Sequence, residues 1–176
     1  ITTTSGSGFF EQRIAGLGGG SATVTFTENA PASPFVFTSL SCVNVATGAT
    51  VGTVTGRQVV LTGVVAGSEI TCTWVNKVQP TIKLRKVSTN STGTFNFSSS
   101  IFPSSPVAIT TTTAGTPATP AGDPTYTVAP DQAVTITEAV PANWTLAGVQ
   151  CINTDSNSVE PTSFTAGGAL TIPATT

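Results

Sequence analysis

One stretch of this sequence occurs twice. Residues 23–32 read TVTFTENAPA and residues 133–142 read AVTITEAVPA, an offset of 110 residues. A second block keeps almost the same spacing, since LSCVN at residues 40–44 returns as VQCIN at residues 149–153. A period of this length is the size of a whole domain and is too long for a solenoid unit. The sequence therefore predicts two related domains in tandem.

The composition favours β-structure throughout. Thr and Val, which prefer extended backbone, are abundant, while 12 Pro and 17 Gly divide the chain into short segments. Superposing the two copies predicts about seven strands per repeat, with a turn signal every eight to twelve residues, which is typical of a β-sandwich. The predicted strands are residues 22–28, 35–44, 58–62, 69–76, 81–87, 93–98, 107–112, 125–128, 133–138, 144–153 and 169–172.

The two predicted domains hold different parts of the repeat. We assign residues 1–79 to a first sandwich without its initial strands and residues 80–176 to a second without its final strand. The first copy has no counterpart of residues 80–108, and the second has none of residues 70–76. Two explanations stay open. The chain is a window of a longer array, or neighbouring chains complete each other's domains.

Charge and residue content argue against several functions. Only 8% of the residues are charged and the formal net charge is −2, so no basic stripe is available for nucleic acid or anionic lipid. The apolar stretches are far shorter than the roughly 20 residues that cross a bilayer. The chain has no His, which excludes Ser-His-Asp and Cys-His catalysis and His-based metal sites. We expect a non-enzyme without catalytic residues, metal, cofactor, nucleic-acid partner or membrane insertion.

The cysteines predict one disulfide. Cys42, Cys72 and Cys151 lack the Cys-x-x-Cys spacing of a zinc site. Cys42 and Cys72 lie in predicted strands of the first repeat, 30 residues apart, and a bridge between them would suit an oxidising compartment. Cys151 is the counterpart of Cys42, and the sequence contains no counterpart of Cys72 after it. The alternative is that all three are buried thiols.

Three segments combine alternating apolar residues with Lys, Glu or Asn. They are TIKLRKV at residues 81–87 followed by GTFNF, TEAVPANW at residues 137–144, and ITCTWVNK at residues 70–77. Together they resemble the SpaA-like prealbumin-fold repeats of bacterial surface proteins, although Asn143 replaces the usual Gly before the aromatic residue. The resemblance implies an all-β chain of tandem prealbumin-like, immunoglobulin-like β-sandwiches.

The same resemblance implies a function outside the cell. Such repeats are non-catalytic structural modules of extracellular filaments, pilus-like fibres and adhesin stalks, and they associate with neighbouring repeats of the same protein. The alternative is a carbohydrate- or surface-binding adhesin module that acts through variable loops. The Thr- and Pro-rich residues 116–124 are predicted to form such a surface loop, because this region differs most between the two copies.

The resemblance also implies a buried polar cluster. Relatives often join a Lys of the first strand to an Asn of the last strand by an isopeptide bond, assisted by a buried acid. Strand alternation places Lys86, Glu138 and Asn76 on the inward faces of their strands. The first repeat holds Glu28 and Asn76 without the Lys, and the second holds Lys86 and Glu138 without the Asn. We expect Lys86 and Glu138 to lie close together. The alternative is that the Glu and Asn residues are ordinary edge or turn residues at the ends of their strands.

Overall fold

The computed structural model describes residues 17–159, 163–165 and 169–174, and these residues contain strands and turns but no helix. Within them, no helix is present that could cross a membrane. They fall into two compact units that divide between Lys77 and Val78, here called the first and second unit. The sequence predicts a boundary between residues 79 and 80.

The strands are β1 (Ser21–Thr27), β2 (Phe35–Asn44), β3 (Thr53–Thr55), β4 (Gln58–Val65), β5 (Ile70–Val78), β6 (Thr81–Lys83), β7 (Thr94–Ser98), β8 (Val107–Thr110), β9 (Thr125–Thr127), β10 (Val134–Ala139), β11 (Ser163–Thr165) and β12 (Ala169–Ile172).

The first unit packs a three-stranded sheet, in the order β1-β4-β3, against the two-stranded sheet β2-β5. Burial alternates along β1 and along most of β5, so their Thr side chains face solvent while Val24, Phe26 and Trp74 face the interior. Val75 and Val78 of β5 are exposed. Cys42, Val59 and Leu61 form the buried centre of this core. Gly52 lies against the centre with a φ of +88°, and a Cβ there would come within 2.8 Å of the Val59 and Leu61 side chains. Only glycine fits this close turn.

The second unit packs a five-stranded sheet, in the order β11-β12-β10-β7-β8, against the two-stranded sheet β6-β9. Its core is larger and rich in aromatic side chains, because β7, β8 and β10 each turn every second residue inward. The buried residues are Phe95, Phe97, Phe102, Ile109, Tyr126, Val128, Val134 and Ile136. Both units are therefore all-β sandwiches, as predicted.

The repeat in sequence is also a repeat in structure. Strands β1, β3 and β4 of the first unit correspond to β10, β11 and β12 of the second, and β3 and β11 begin at Thr53 and Ser163, which are 110 residues apart. Superposing the copies gives nine different strands in the described residues, not about seven. The difference includes the three-residue strands β3 and β11. Their sequences, TVT and SFT, are too short to show a period.

One predicted strand is wrong. Residues 144–153 form no strand, although their first-copy counterpart is the ten-residue strand β2. In the first unit β2 pairs with β5, and the sequence contains no second copy of β5. An extended segment without a partner cannot form the ladder of hydrogen bonds that defines a strand. The segment keeps a single bridge, between Ile152 and Val159, in the place of the bridge between Val43 and Thr50.

Candidate functional site

A disulfide joins the two strands of the smaller sheet in the first unit. Cys42 in β2 is bonded to Cys72 in β5 across a sequence separation of 30 residues. The predicted pairing is confirmed. Cys42 is completely buried, and the closed loop contains β4 with the core residues Val59 and Leu61. The loop that the disulfide closes thus contains two of the three residues at the buried centre of the core. Cys151 lies at the repeat position of Cys42 and is half-buried.

A buried ion pair lies in the second unit. The Lys86 Nζ is 2.7 Å from the Glu138 Oε1, and the two side chains are only 13% and 6% exposed. The ammonium also lies 4.4 Å from the centre of the Phe95 ring, within the range of a cation–π contact. Trp144 packs edge-on against Phe95 with a centroid distance of 4.9 Å. The structure therefore brings the sequence-predicted Lys86 and Glu138 together beside the rings of Phe95 and Trp144.

Backbone pairing fixes the position of Lys86. Strand β6 ends at Lys83, earlier than predicted, but Lys86 forms an isolated bridge with Ala118, in which each residue's N–H donates to the other's carbonyl. Ala118 belongs to the segment predicted to be a surface loop. That segment is only partly at the surface, since Pro120 is buried and Ala118 and Thr119 are half-buried. The segment therefore packs beside the ion pair.

A different polar cluster lies at the end of β1 in the first unit. The Asn76 Nδ2 donates to the Glu28 Oε1 at 2.6 Å, so the structure also brings these two predicted residues together. The carbonyl of Arg57 accepts hydrogen bonds from the Glu28 N–H and from the Trp74 indole N–H. Sequence reasoning missed Arg57, because its main-chain carbonyl carries no side-chain signal.

This cluster in the first unit is incompletely satisfied. The Glu28 Oε2, the Asn76 Oδ1 and the Arg57 Nη1 are buried and form no hydrogen bond. A buried polar atom without a partner costs about 1–3 kcal/mol. The two oxygens are both acceptors, so a group with several N–H donors would satisfy them. No such group reaches them from the described residues.

The structure does not bring a Lys and an Asn of an isopeptide pair together within either unit in its described part. The partner of Lys86 is Glu138, and the partner of Asn76 is Glu28. Each unit thus presents the acid with one of the two groups that would react. The isopeptide bond stays a prediction.

The second unit also has a shallow groove of about 360 Å³, lined by hydroxyl, proline and aromatic residues. Phe102 and Tyr126 pack at its base with a centroid distance of 4.6 Å, and both are buried. Burial raises the pKa of the Tyr126 phenol. Because both rings are covered, the groove offers little aromatic surface for stacking a sugar. The described residues contain no cluster of three His, Cys, Asp or Glu that could hold a metal ion.

Comparison with known proteins agrees with this architecture. The SpaA_4 family, a prealbumin-like fold domain, matches residues 1–78 and 82–176. No curated protein and no solved structure is significantly similar to the chain. The two matched stretches cover nearly the whole sequence and coincide with the two sandwich units. The chain therefore belongs to the SpaA_4 family of prealbumin-like fold domains.

Proposed function

We propose that this chain is a non-catalytic structural repeat of an extracellular bacterial filament, pilus-like fibre or adhesin stalk. The observation that carries the proposal is that each unit links segments distant in sequence by a buried side-chain contact. The Cys42–Cys72 disulfide spans 30 residues in the first unit, and the Lys86–Glu138 ion pair spans 52 residues in the second. Such links oppose the separation of strands when a chain is pulled.

Three further features support an extracellular structural role. A disulfide in a small sandwich is typical of proteins that fold in an oxidising compartment. Charged residues are scarce, and the outward faces of the strands carry hydroxyl groups, as at Thr23, Thr25 and Thr27 of β1. Only two residues, Gln79 and Pro80, separate β5 of the first unit from β6 of the second. A connection this short suits repeats joined in series.

Within this proposal, a covalent bond in a completed repeat is a further hypothesis, and it comes from the family resemblance. The neutral amine of a residue like Lys86 would attack the carboxamide carbon of a residue like Asn76. A new C–N bond would form, the bond to the amide nitrogen would break, and ammonia would leave, with the adjacent acid transferring the proton. A chain that contains a whole repeat would then weigh one ammonia less than its sequence. An unchanged mass would remove the hypothesis.

The second candidate is a carbohydrate-binding or surface-binding module. It is favoured by the groove beside Tyr126, whose rim carries the hydroxyl groups of Ser100, Thr125 and Thr127. These groups could donate and accept hydrogen bonds with sugar hydroxyls. A glycan array probed with the chain, together with the matched variant Thr125→Val, tests this function. Specific binding that this substitution abolishes would favour it over the structural role.

Electron microscopy of the native material tests the principal proposal. Antibodies against residues 1–176, visualised with gold on negatively stained cells and on shed surface material, should label filaments or stalks at regular intervals. Labelling confined to dispersed particles, together with specific glycan binding, would contradict it. Labelling inside the cell would contradict both functions.

A further inference from the structure

Two connecting segments of the second unit lie side by side at one end of its five-stranded sheet. Strand β7 begins at Thr94 and β8 ends at Thr110, and these two residues are paired. The residues before β7 and the residues after β8 therefore leave the sheet at the same place. The Gly115 N–H donates to the Ser88 carbonyl at 2.8 Å, so a backbone hydrogen bond joins the two segments beyond the strands.

A buried hydroxyl pair fixes the base of these segments. Ser88 and Thr111 are each 2% exposed, and their Oγ atoms are 2.7 Å apart. The Gly93 N–H donates to the Thr111 Oγ1 at 3.0 Å, so these buried polar groups have partners. On the far side, the bridge between Lys86 and Ala118 closes the base a second time. The residues between Thr111 and Ala118 are therefore held at both ends.

The held residues form an exposed turn at positions 112–116, here called the threonine turn. Thr112, Thr113 and Thr116 are all exposed, and the Thr116 N–H donates to the Thr113 carbonyl at 3.3 Å. Their hydroxyl groups form no hydrogen bond within the part of the chain that the structure describes. The exposed Thr94 and Thr110 differ, because their Oγ1 atoms bond to each other at 2.9 Å. The threonine turn thus presents three hydroxyl groups to solvent without a protein partner.

The composition around the turn indicates what these hydroxyl groups are for. Residues 87–122 contain no Asp, Glu, Lys or Arg, so nothing near the turn in sequence would bind a charged ligand. The run TTTAGTPATP at residues 111–120 combines Thr with Pro, which is typical of O-glycosylated stalks. Gly115 lies at the tip with no atom within 4 Å of the place of a Cβ, so there is room for a bulky group. A sugar would hydrate this uncharged turn.

We propose that the threonine turn is a site of O-glycosylation, with the sugar on one or more of Thr112, Thr113 and Thr116. The threonine oxygen attacks the anomeric carbon of a nucleotide-linked or lipid-linked sugar phosphate. A new C–O bond forms, the bond from the anomeric carbon to the phosphate oxygen breaks, and the phosphate leaves with the electron pair. The hydroxyl proton passes to a base of the transferase. The proposal goes beyond the proposed function, because a stalk and an adhesin module would both carry such a sugar.

Mass spectrometry of the chain purified from its native cells tests the proposal. Cleavage after Lys86 and Glu138 releases residues 87–138 as one peptide. We expect its mass to exceed the mass of the sequence by one or more whole sugar residues, which electron-transfer fragmentation should place on the threonine turn. Thr94 and Thr110 lie in the same peptide and should carry no sugar. Alkaline β-elimination should release the sugar, because base removes the threonine Cα–H and the Cβ–O bond breaks.

Variants expressed in the native cells locate the site. Thr112→Val, Thr113→Val and Thr116→Val together remove only hydroxyl groups that have no partner, so the fold should persist while the peptide loses its sugar. The matched control combines Thr94→Val and Thr110→Val, which suit a strand as well as Thr does. This control should keep the full sugar mass.

Three results would overturn the proposal. They are an unmodified peptide 87–138 from the native cells, a sugar confined to Asn90 that resists β-elimination, and a sugar on Thr94 or Thr110 as often as on the threonine turn. The second result would assign the modification to the Asn90-Ser91-Thr92 motif for N-linked sugar. The proposed function is tested separately. Filaments of unmodified protein would reject only this proposal, and a glycosylated turn without filaments would reject only the structural role.

Discussion

Glu28 and Glu138 come from the same repeated block and lie at the same place in their sandwiches, but their surroundings differ. Glu138 is buried and bound to the Lys86 ammonium, while Glu28 is bound to the neutral Asn76 amide and its second oxygen has no partner. The glutamates themselves are identical in kind. The segment that distinguishes them is residues 80–98, which is part of the second unit and has no copy in the first. The hydrogen-bond partner of this glutamate therefore depends on whether the segment 80–98 lies beside it.

The largest expected effect is on the second unit. Lys86→Met leaves the Glu138 carboxylate buried without a partner, so the free energy of unfolding of this unit should fall by about 3–5 kcal/mol. The measurement is chemical denaturation of protein labelled with 5-fluorotryptophan, followed by fluorine NMR. Trp74 and Trp144, the chain's two tryptophans, report the two units separately.

Two controls sharpen this comparison. The double variant Lys86→Met, Glu138→Leu should recover most of the loss, because a buried ion pair can often be replaced by apolar residues at little net cost. Lys83→Met removes an ion pair whose side chains are 47% and 40% exposed, and it should cost no more than about 1 kcal/mol. If Lys86→Met costs no more than Lys83→Met, the buried pair does not hold the second unit together.

The disulfide should give the next largest effect, and only in the first unit. Closing a 30-residue loop corresponds to about 3–4 kcal/mol in the chain-entropy account, so reduction or the pair Cys42→Ser, Cys72→Ser should destabilise this unit by about that amount. The Trp144 transition should not move. Single-molecule pulling gives a second readout. Without the bond, unfolding should release roughly 100 Å more chain.

The strands that the sequence predicted well are those whose partners the chain contains. Residues 35–44 and 169–172 were predicted with the bounds that β2 and β12 have. Residues 144–153 have the same kind of sequence as β2 and yet form no strand, because the described residues contain no partner strand for them. Local alternation measures only the tendency of a segment to be extended. Whether a ladder forms depends on a second segment that the local pattern does not contain.

The candidate site was predictable from side-chain alternation and from the repeat. Lys86 and Glu138 continue the inward faces of their strands, and the family resemblance implies that the two belong to one polar cluster. The bridge between Lys86 and Ala118 was not predictable, since it joins a position beyond the end of β6 to a Pro-rich segment without a strand pattern. The unsatisfied atoms near Glu28 were not predictable either, because they depend on how the surrounding backbone closes over them.

A smaller effect is expected at Glu28. In Glu28→Gln the remaining carbonyl oxygen can still accept from the Asn76 Nδ2, and the new amide can donate to the Asn76 Oδ1, which now has no partner. The free energy of unfolding of the first unit should therefore change by less than about 1 kcal/mol, or rise. The matched substitution Glu138→Gln strands the Lys86 ammonium and should be clearly destabilising. If the two substitutions lower the free energy of unfolding equally, the surroundings of Glu28 and Glu138 do not differ in the way described.

The smallest effect concerns the pair Lys83–Asp123. It joins an ammonium to a carboxylate, as Lys86–Glu138 does, but its side chains are much more exposed to solvent. The hydrogen bond from the Lys83 ammonium, 2.8 Å away, lowers the pKa of Asp123 below its ordinary value near 3.8. A carboxyl whose pKa is lower in the folded state stabilises the fold above the pKa of the unfolded chain. That contribution disappears as the pH falls through the lowered value. An NMR titration of the Asp123 side chain should show the lowered pKa, and in Lys83→Gln the pKa should return toward 3.8. Since both side chains are partly in solvent, the unfolding midpoint at pH 7 should move little. A large shift there would mean that exposure does not separate this pair from Lys86–Glu138.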